Sequence, residues 1–350
     1  MYTIYTIIQM SKNSKHVKKN EDTIKKKELK FIEVCSGAGG LSSGFIHEKF
    51  IPILLNDYDK TCCDTLKKNH VDVEVKHGSF IDINFDIWKN VDVFMGGVPC
   101  QRFSQAGKRE GLNDERGNLI MEFIKIVNKI NPKVFLIENV KGLTTHDGGN
   151  TLKKIIETIE KLNKYKIYYK VLNANDYGVA QKRERLIIVG VSKKIKKIFE
   201  FPKIDEKKMV LEDVLQNVPA SEGYTYTDEK RKMMELVPQG GCWVDLPTDI
   251  QKKYMKKSYE SGGGKRGIAR RLAMDSPSLT LTTSPCQKQT ERCHPIETRP
   301  LNIKEYMRIQ SFPDNYIFTG SIAKQYKQIG NAVPVKLAER IAQCIKNVLQ

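Results

Sequence analysis

Between residues 29 and 191, short apolar runs alternate with amphipathic stretches, and the runs have the length and β-branched content of buried strands. The pattern predicts strands at Leu29–Val34, Ile51–Asn56, Val73–His77, Val91–Met95, Lys133–Ile137, Lys166–Leu172 and Leu186–Val191. Helical periodicity covers the stretch from the glycines after the first strand to about Lys49, then Lys60–Asn69, Arg116–Ile130 and Asn150–Leu162. Strands and helices in alternation predict an α/β fold of the Rossmann-like kind. Beyond about Lys197 the alternation stops. Residues 200–300 gain Gly, Pro, Ser and Thr, including Gly262-Gly263-Gly264-Lys265-Arg266, and predict a smaller, irregular, mostly β region. Helical character returns over Ile303–Gln310, and Pro334 opens a last helix at its favoured first position. Residues 1–29 are lysine-studded without periodicity and predict a mobile basic arm.

The candidate chemistry falls where these strands end. Val91–Met95 runs into Gly96-Gly97-Val98-Pro99-Cys100-Gln101, which presents a thiol from a proline-stiffened corner at the carboxyl edge of a strand. A free cysteine is more often a small buried hydrophobe. The glycines before it and Gln101, Arg102 and Ser104 after it argue for a loop. Leu29–Val34 leads into Ser36-Gly37-Ala38-Gly39-Gly40, a strand, glycine turn and helix layout that suits a nucleoside cofactor. A dinucleotide pattern would need a third glycine where Ser42 stands. Asp57 closes the second strand at the position of a ribose-gripping acid. Glu138 follows Lys133–Ile137 on the same edge as Cys100, either as a pocket acid or as a helix cap. Arg183 and Arg185 alternate into a strand and share a face, as a pair gripping something anionic or polar would.

Net charge changes the picture next. At +18 and a pI near 9.4, the chain suits a polyanion partner, although a lysine-rich proteome gives the same surplus as a solvated face. Eight cysteines without a C-x-x-C spacing predict neither a disulfide framework nor a metal site. No apolar run reaches the ~20 residues of a membrane span, and Tyr2–Met10 lacks the features of a secretory signal. A cytoplasmic protein is expected.

Ser-Gly-Ala-Gly-Gly at 36–40, Pro-Cys-Gln at 99–101, Glu-Asn-Val at 138–140, Gln-Lys-Arg-Glu-Arg at 181–185, Arg308–Pro313 and Gly-Asn-Ala-Val-Pro at 330–334 occur in this order. In these stretches the chain resembles the C5-cytosine DNA methyltransferases of bacterial restriction-modification systems, over roughly residues 30–350. The resemblance implies a Rossmann-like, S-adenosylmethionine-dependent catalytic domain over 30–198 and 322–350, and a target-recognition domain over 199–321. It places the nucleophile at Cys100, the pocket acid at Glu138, and the base- and phosphate-holding arginines at Arg183 and Arg185. It puts the cofactor against Ser36, Gly37, Ala38, Gly39, Gly40 and Leu41, then Asp57, Tyr58, Ser79, Phe80 and Pro99, and Leu119, Asn331 and Val333. Cys35 stands where the family carries an aromatic residue, and Ser79 where it carries an acid.

The chemistry that follows is attack of a Cys100 thiolate on C6 of a flipped-out cytosine, with Glu138, kept protonated by burial, serving N3. Duplex DNA is the expected partner. Gln101, Ser104, Lys108 and Arg109 would lie in a loop closing on it, while Arg266, Arg270, Arg271 and Thr280 would reach it from the recognition region. A monomer, with or without a cognate restriction endonuclease acting on the same site, is expected. The alternatives are a tRNA cytosine methyltransferase of the same fold, a catalytically dead DNA-binding homologue, and a nicotinamide dehydrogenase. The insert of about a hundred residues, the intact Cys100 and Glu138, and the glycine spacing respectively weigh against them.

Overall fold

The computed structural model describes residues 28–99, 119–260 and 266–350. Its first half runs β1 (Leu29–Val34), α1 (Gly40–His47), β2 (Phe50–Asp57), α2 (Lys60–Asn69), β3 (Glu74–His77), β4 (Val93–Gly96), α3 (Leu119–Ile130), β5 (Val134–Val140), α4 (Asn150–Lys161), β6 (Tyr165–Asn173), β7 (Gln181–Lys182) and β8 (Glu184–Ser192). The second half adds α5 (Asp228–Glu235), α6 (Thr248–Met255), β9 (Ser278–Leu279), α7 (Ile303–Ile309), α8 (Ile322–Asn331) and α9 (Val335–Leu349).

Seven strands form one sheet in the order β3-β2-β1-β4-β5-β8-β6. Pairing is parallel from β3 to β5 and antiparallel at β8; the chain runs outward from β1 to β3 on one side and from β4 on the other, so the order switches between β1 and β4. A ligand in such a sheet lies outside the carboxyl ends of the strands at this switch point. The central strands read as continuous apolar runs because both faces are covered. Phe31, Met95 and Leu136 pack on one side with Phe45 of α1 and Leu337 and Ile341 of α9. Ile32, Phe94 and Ile137 pack on the other with Phe123 of α3 and Ile155 of α4. The approach of α1 to α9 is close enough that a Cβ on Gly44 would stand 2.4 Å from that of Ala338.

The second half differs from its expectation. Residues 199–321 are irregular, but among the described residues their regular elements are helices, with β9 the one strand, two residues long. Met234 of α5, Met255 of α6, Ile268 and Cys293 build a small core there. Period-2 apolar alternation never extends far enough in this region to specify a sheet face. Pro334 caps α9 from just outside it rather than from its first turn.

Candidate active site

The carboxyl ends of β1, β2, β4 and β5 meet on one edge. After β1 the chain turns at Ser36-Gly37-Ala38-Gly39 into α1. The Gly37 N–H donates to Asp57 Oδ2 at 2.8 Å, and the Asp59 N–H donates to Oδ1 of the same carboxylate at 2.8 Å. Burial pushes the Asp57 carboxyl up from its ordinary range, against the pull of those two N–H groups. Asn56 donates to the carbonyls of Lys76 and Gly78, which fixes the loop after β3 beside β2. There the Ser79 hydroxyl accepts from the Ile81 N–H, while the Phe80 ring is buried in the core.

The glycines of the turn serve two ends. A Cβ on Gly40 would stand 2.2 Å from the Val333 carbonyl oxygen, and one on Gly39 would stand 2.8 Å from the Tyr316 hydroxyl, so packing demands these two. Among the described residues, Gly37 has φ +54 and nothing within 4 Å of a built Cβ; Gly78, at φ +121, is equally open. Both donate a main-chain N–H to Asp57, Gly37 to the carboxylate and Gly78 to the carbonyl, so the described residues leave an open cradle beside Asp57. Tyr58 stands beside it with 79% of its surface exposed. Cys35 holds φ +52, and burial beside Asp57 and Glu33 pushes its thiol up to about 12, so it is an apolar wall rather than a nucleophile.

The second part of the site lies between β4 and β5. The Asn139 side chain donates to the Val98 carbonyl at 2.8 Å, tying the segment that leads to Cys100 to the end of β5. Ile187 lies opposite Glu138 across the β5–β8 ladder, so Arg185 is its diagonal neighbour on the same face. The Arg185 Nε donates to Glu138 Oε1 at 2.8 Å, and each side chain is only 12% exposed. The other carboxylate oxygen faces Gly97, whose built Cβ would lie 3.2 Å from it. The surroundings of Glu138 are therefore those of an ion pair, not the merely dry pocket expected.

The profile of the C-5 cytosine-specific DNA methylase family matches residues 29–347. The chain belongs to this family. It is a DNA cytosine-5 methyltransferase and uses S-adenosylmethionine. The methyltransferase is 49% identical to the type II methyltransferase M.Sau96I of Staphylococcus aureus over 93% of its own length and 77% of that protein. It is 47% identical to M.Eco47II of Escherichia coli over 91% of its length and 79% of that protein. In fold it is similar to the Entamoeba histolytica methyltransferase EhMeth (TM-score 0.67, 20% identity, covering 93% of this chain and 100% of that one). It is also similar to a Spodoptera frugiperda DNMT2 variant (TM-score 0.66, 17% identity, covering 92% and 100%).

The remaining sequence-derived residues of the methyltransferase divide by position. Cys100, Gln101, Ser104, Lys108 and Arg109 lie outside the described residues. Ser36 and Ala38 are buried in the turn, Leu41 packs in the core of α1, Pro99 and Leu119 are half-buried, Val333 is buried and Asn331 is exposed. Arg266 is exposed. Thr280 donates its hydroxyl to the Lys182 carbonyl, and Arg270 turns its guanidinium onto the carbonyls of Arg266 and Gly240.

Two expectations need correcting. Arg271 is 5% exposed and donates to the carbonyls of Val237 and Met234 and to the Thr298 hydroxyl, so it braces the small core instead of reaching DNA. Arg183 does not share an open face with Arg185. It falls in the break between β7 and β8, is 1% exposed, and donates to the carbonyls of Leu281 and Gly330. In the sequence Gln181 and Gln310 are only letters of motifs, and Asn139 is a motif letter or a possible helix cap; nothing there says that their amides would be buried. Among the described residues no group of three or more His, Cys, Asp or Glu could hold a metal, and no helix is long and apolar enough to cross a membrane.

Proposed function

We propose that the chain methylates C5 of a cytosine turned out of a specific short duplex sequence, with Cys100 as its nucleophile. The convergence of the glycine turn, Asp57, the β4 segment running into Cys100 and the Glu138–Arg185 pair on one sheet edge carries this reading. The open cradle fits the cofactor: Gly37 and the main chain of Ser36 to Gly40 would hold it, Asp57 would take its ribose hydroxyls, and Tyr58 would lie along its base. Ser79 and the main chain of Phe80 would edge the same base, while Leu41, Pro99, Leu119, Asn331 and Val333 would close the methionine side. When bound, S-adenosylmethionine supplies an electrophilic methyl group.

The residues divide the reaction into easier steps. The Cys100 thiolate adds to C6, a C–S bond forms, and electron density moves to C5. Glu138 serves the N3 edge of the base, and Arg185 orients that carboxyl and meets the base beside it. After C5 has taken the methyl group, the C5 proton leaves to a base and the C6–S bond breaks, returning Cys100. Turning the cytosine out of the stack costs a few kcal/mol, and contacts to the duplex would offset it. Those contacts would come from Gln101, Ser104, Lys108 and Arg109, and from Arg266 and Thr280. Residues 199–321 would recognise the target, and 30–198 with 322–350 would carry out catalysis, the enzyme working as a monomer in the bacterial cytoplasm. Methylation would protect host DNA from an endonuclease that cuts the same site without forming a stable complex with this chain.

Labelled S-adenosylmethionine offered with unmethylated duplex DNA and with tRNA, to the wild type and Cys100→Ser, tests the reading. Label in DNA that disappears in the variant is the expected result. Label confined to tRNA, or label in DNA that survives Cys100→Ser, would overturn it.

A further inference from the structure

Leu281 has both of its main-chain polar groups captured by side chains from another part of the fold. Its N–H donates to Gln181 Oε1 at 3.0 Å, and its carbonyl accepts from Arg183 Nη1 at 3.1 Å. Each of these side chains continues to the last turn of α8 and its link to α9. The Gln181 Nε2 donates to Gln310 Oε1 at 2.9 Å, and the Gln310 Nε2 donates to the Ile329 carbonyl at 2.7 Å and the Ala332 carbonyl at 3.3 Å. Arg183 reaches the Gly330 carbonyl directly at 2.8 Å. Two parallel bridges therefore run from Leu281 to residues 329–332. The turn and the segment also touch: a Cβ on Gly330 would overlap the Thr282 carbonyl oxygen at 2.1 Å.

Gln181 and Gln310 are both fully buried, and every polar atom of their amides has a partner. Buried amides in this condition have no alternative partners, so the segments they join can shift only together. One end of the bridge is Thr280-Leu281, pinned against β7 through the β7–β9 pairing and the Thr280 hydroxyl. The other end carries Asn331 and Val333.

We propose that Gln181 and Gln310 are positioning residues that make cofactor binding respond to seating of the duplex at Thr280, next to the buried Leu281. The proposal rests on the reading of Thr280 as facing the target and of Asn331 and Val333 as facing the cofactor. A duplex that fixes residues 280–282 thereby fixes the 329–333 turn, and by reciprocity the cofactor fixes the recognition segment.

The test first maps the methylated site on plasmid DNA with the wild type, then measures the Kd of S-adenosylhomocysteine with and without a short duplex carrying that site. In the wild type the duplex tightens S-adenosylhomocysteine at least tenfold. In Gln181→Met and Gln310→Met, which leave the Arg183 bridge in place, the ratio falls at least threefold, Tm falls by several degrees because buried partners lose their hydrogen bonds, and the Kd without duplex stays within about twofold. A side chain that only stabilised the fold would lower Tm and leave the ratio. If the variants do not fold, hydrogen exchange on the wild type decides: S-adenosylhomocysteine alone slows exchange of the Leu281 amide. A wild type that methylates DNA but has a ratio of one, folded variants with an unchanged ratio, or an unprotected Leu281 amide overturns the proposal. Absence of methylation by the wild type counts against the proposed function itself.

Discussion

Arg185 and Glu138 are joined at 2.8 Å across the β5–β8 ladder, and the contact uses one carboxylate oxygen and leaves the other facing Gly97. Breaking a half-buried pair of this kind leaves an uncompensated charge, so neither partner is neutral to replace. The pair is also an aiming device, because Arg185 is fixed by the sheet register. Glu138→Gln keeps the shape and removes the acid. It should lower kcat by about 10²–10⁴, the usual worth of a positioned proton donor or acceptor, and leave the Kd of S-adenosylhomocysteine within about twofold. A variant with near wild-type kcat would remove Glu138 from the chemistry.

The Asn139 amide gives a second expectation. It is the described link between β5 and the residues just before Cys100, through the Val98 carbonyl. Asn139→Ala leaves that buried carbonyl without its donor, at a cost of about 1–3 kcal/mol, and frees the corner that carries the nucleophile. A misplacement of ~1 Å in a catalytic group can cost ~10²-fold. Thermal melts should show a fall of a few degrees, and kcat should fall by more than tenfold. A large loss of Tm with kcat preserved would make Asn139 purely structural.

How much of this was legible depended on whether a residue's role is local. The strands of the sheet, the glycine turn and Asp57 follow from apolar runs and turn chemistry, which act over a few residues, and the structure reproduces them within a residue or two, except that β5 runs three residues past its expected end at Ile137, to Val140, and takes Glu138 into the strand. The helices α5 and α6 were missed because no long periodicity marks them in a region rich in turn formers. Arg271 and Arg183 were misread for a different reason. An arginine's partner here is a carbonyl dozens of residues away, as with Met234 for Arg271 and Leu281 for Arg183, and charge alone does not tell a buried brace from a phosphate contact. The amides of Gln181 and Gln310 lie beyond sequence reasoning for the same reason.

Gly37 and Gly40 separate binding from folding. At Gly40 a methyl group would meet the Val333 carbonyl oxygen at 2.2 Å, a backbone atom that cannot yield cheaply, whereas at Gly37 it would enter space left open by the described residues. Gly37→Ala must still hold φ +54, at a cost of ~1 kcal/mol. Gly40→Ala should lower Tm strongly and lose S-adenosylhomocysteine binding. Gly37→Ala should fold with a small loss of Tm and still weaken S-adenosylhomocysteine at least tenfold, because the added methyl occupies the cradle. Calorimetry with both variants checks this; unweakened binding in Gly37→Ala would place the cofactor elsewhere.

Arg271 and Arg266 should part in the same way. Arg271→Ala removes a buried fork from six partners and should lower Tm by several degrees, with the salt slope of DNA binding unchanged in protein that remains folded. Arg266→Ala, at an exposed position, should leave Tm alone and reduce the slope of log K against log salt by about one. Equal slopes for Arg266→Ala and the wild type would take Arg266 off the phosphate backbone.

Glu33 gives the methyltransferase a pH dependence whose sign is fixed. It lies in β1 beneath the glycine turn, 1% exposed, with its Oε2 unpartnered among the described residues. Burial pushes its carboxyl from the ordinary 4.5 up to about 8, with Asp57 adding to the rise and Ser42 opposing it. The folded chain thus holds a proton that the unfolded chain releases between these values. Stability falls with rising pH wherever the folded state binds more protons. This contribution is fully present below about pH 4.5 and is lost as pH rises through about 8, with a ceiling of a few kcal/mol. Glu33→Gln has no proton to lose. Melts from pH 5 to pH 9 should show the wild-type Tm falling more steeply than that of the variant, and the gap between them should widen toward pH 9. Parallel curves would mean that Glu33 is ionised in the fold, with a partner that neutralises it.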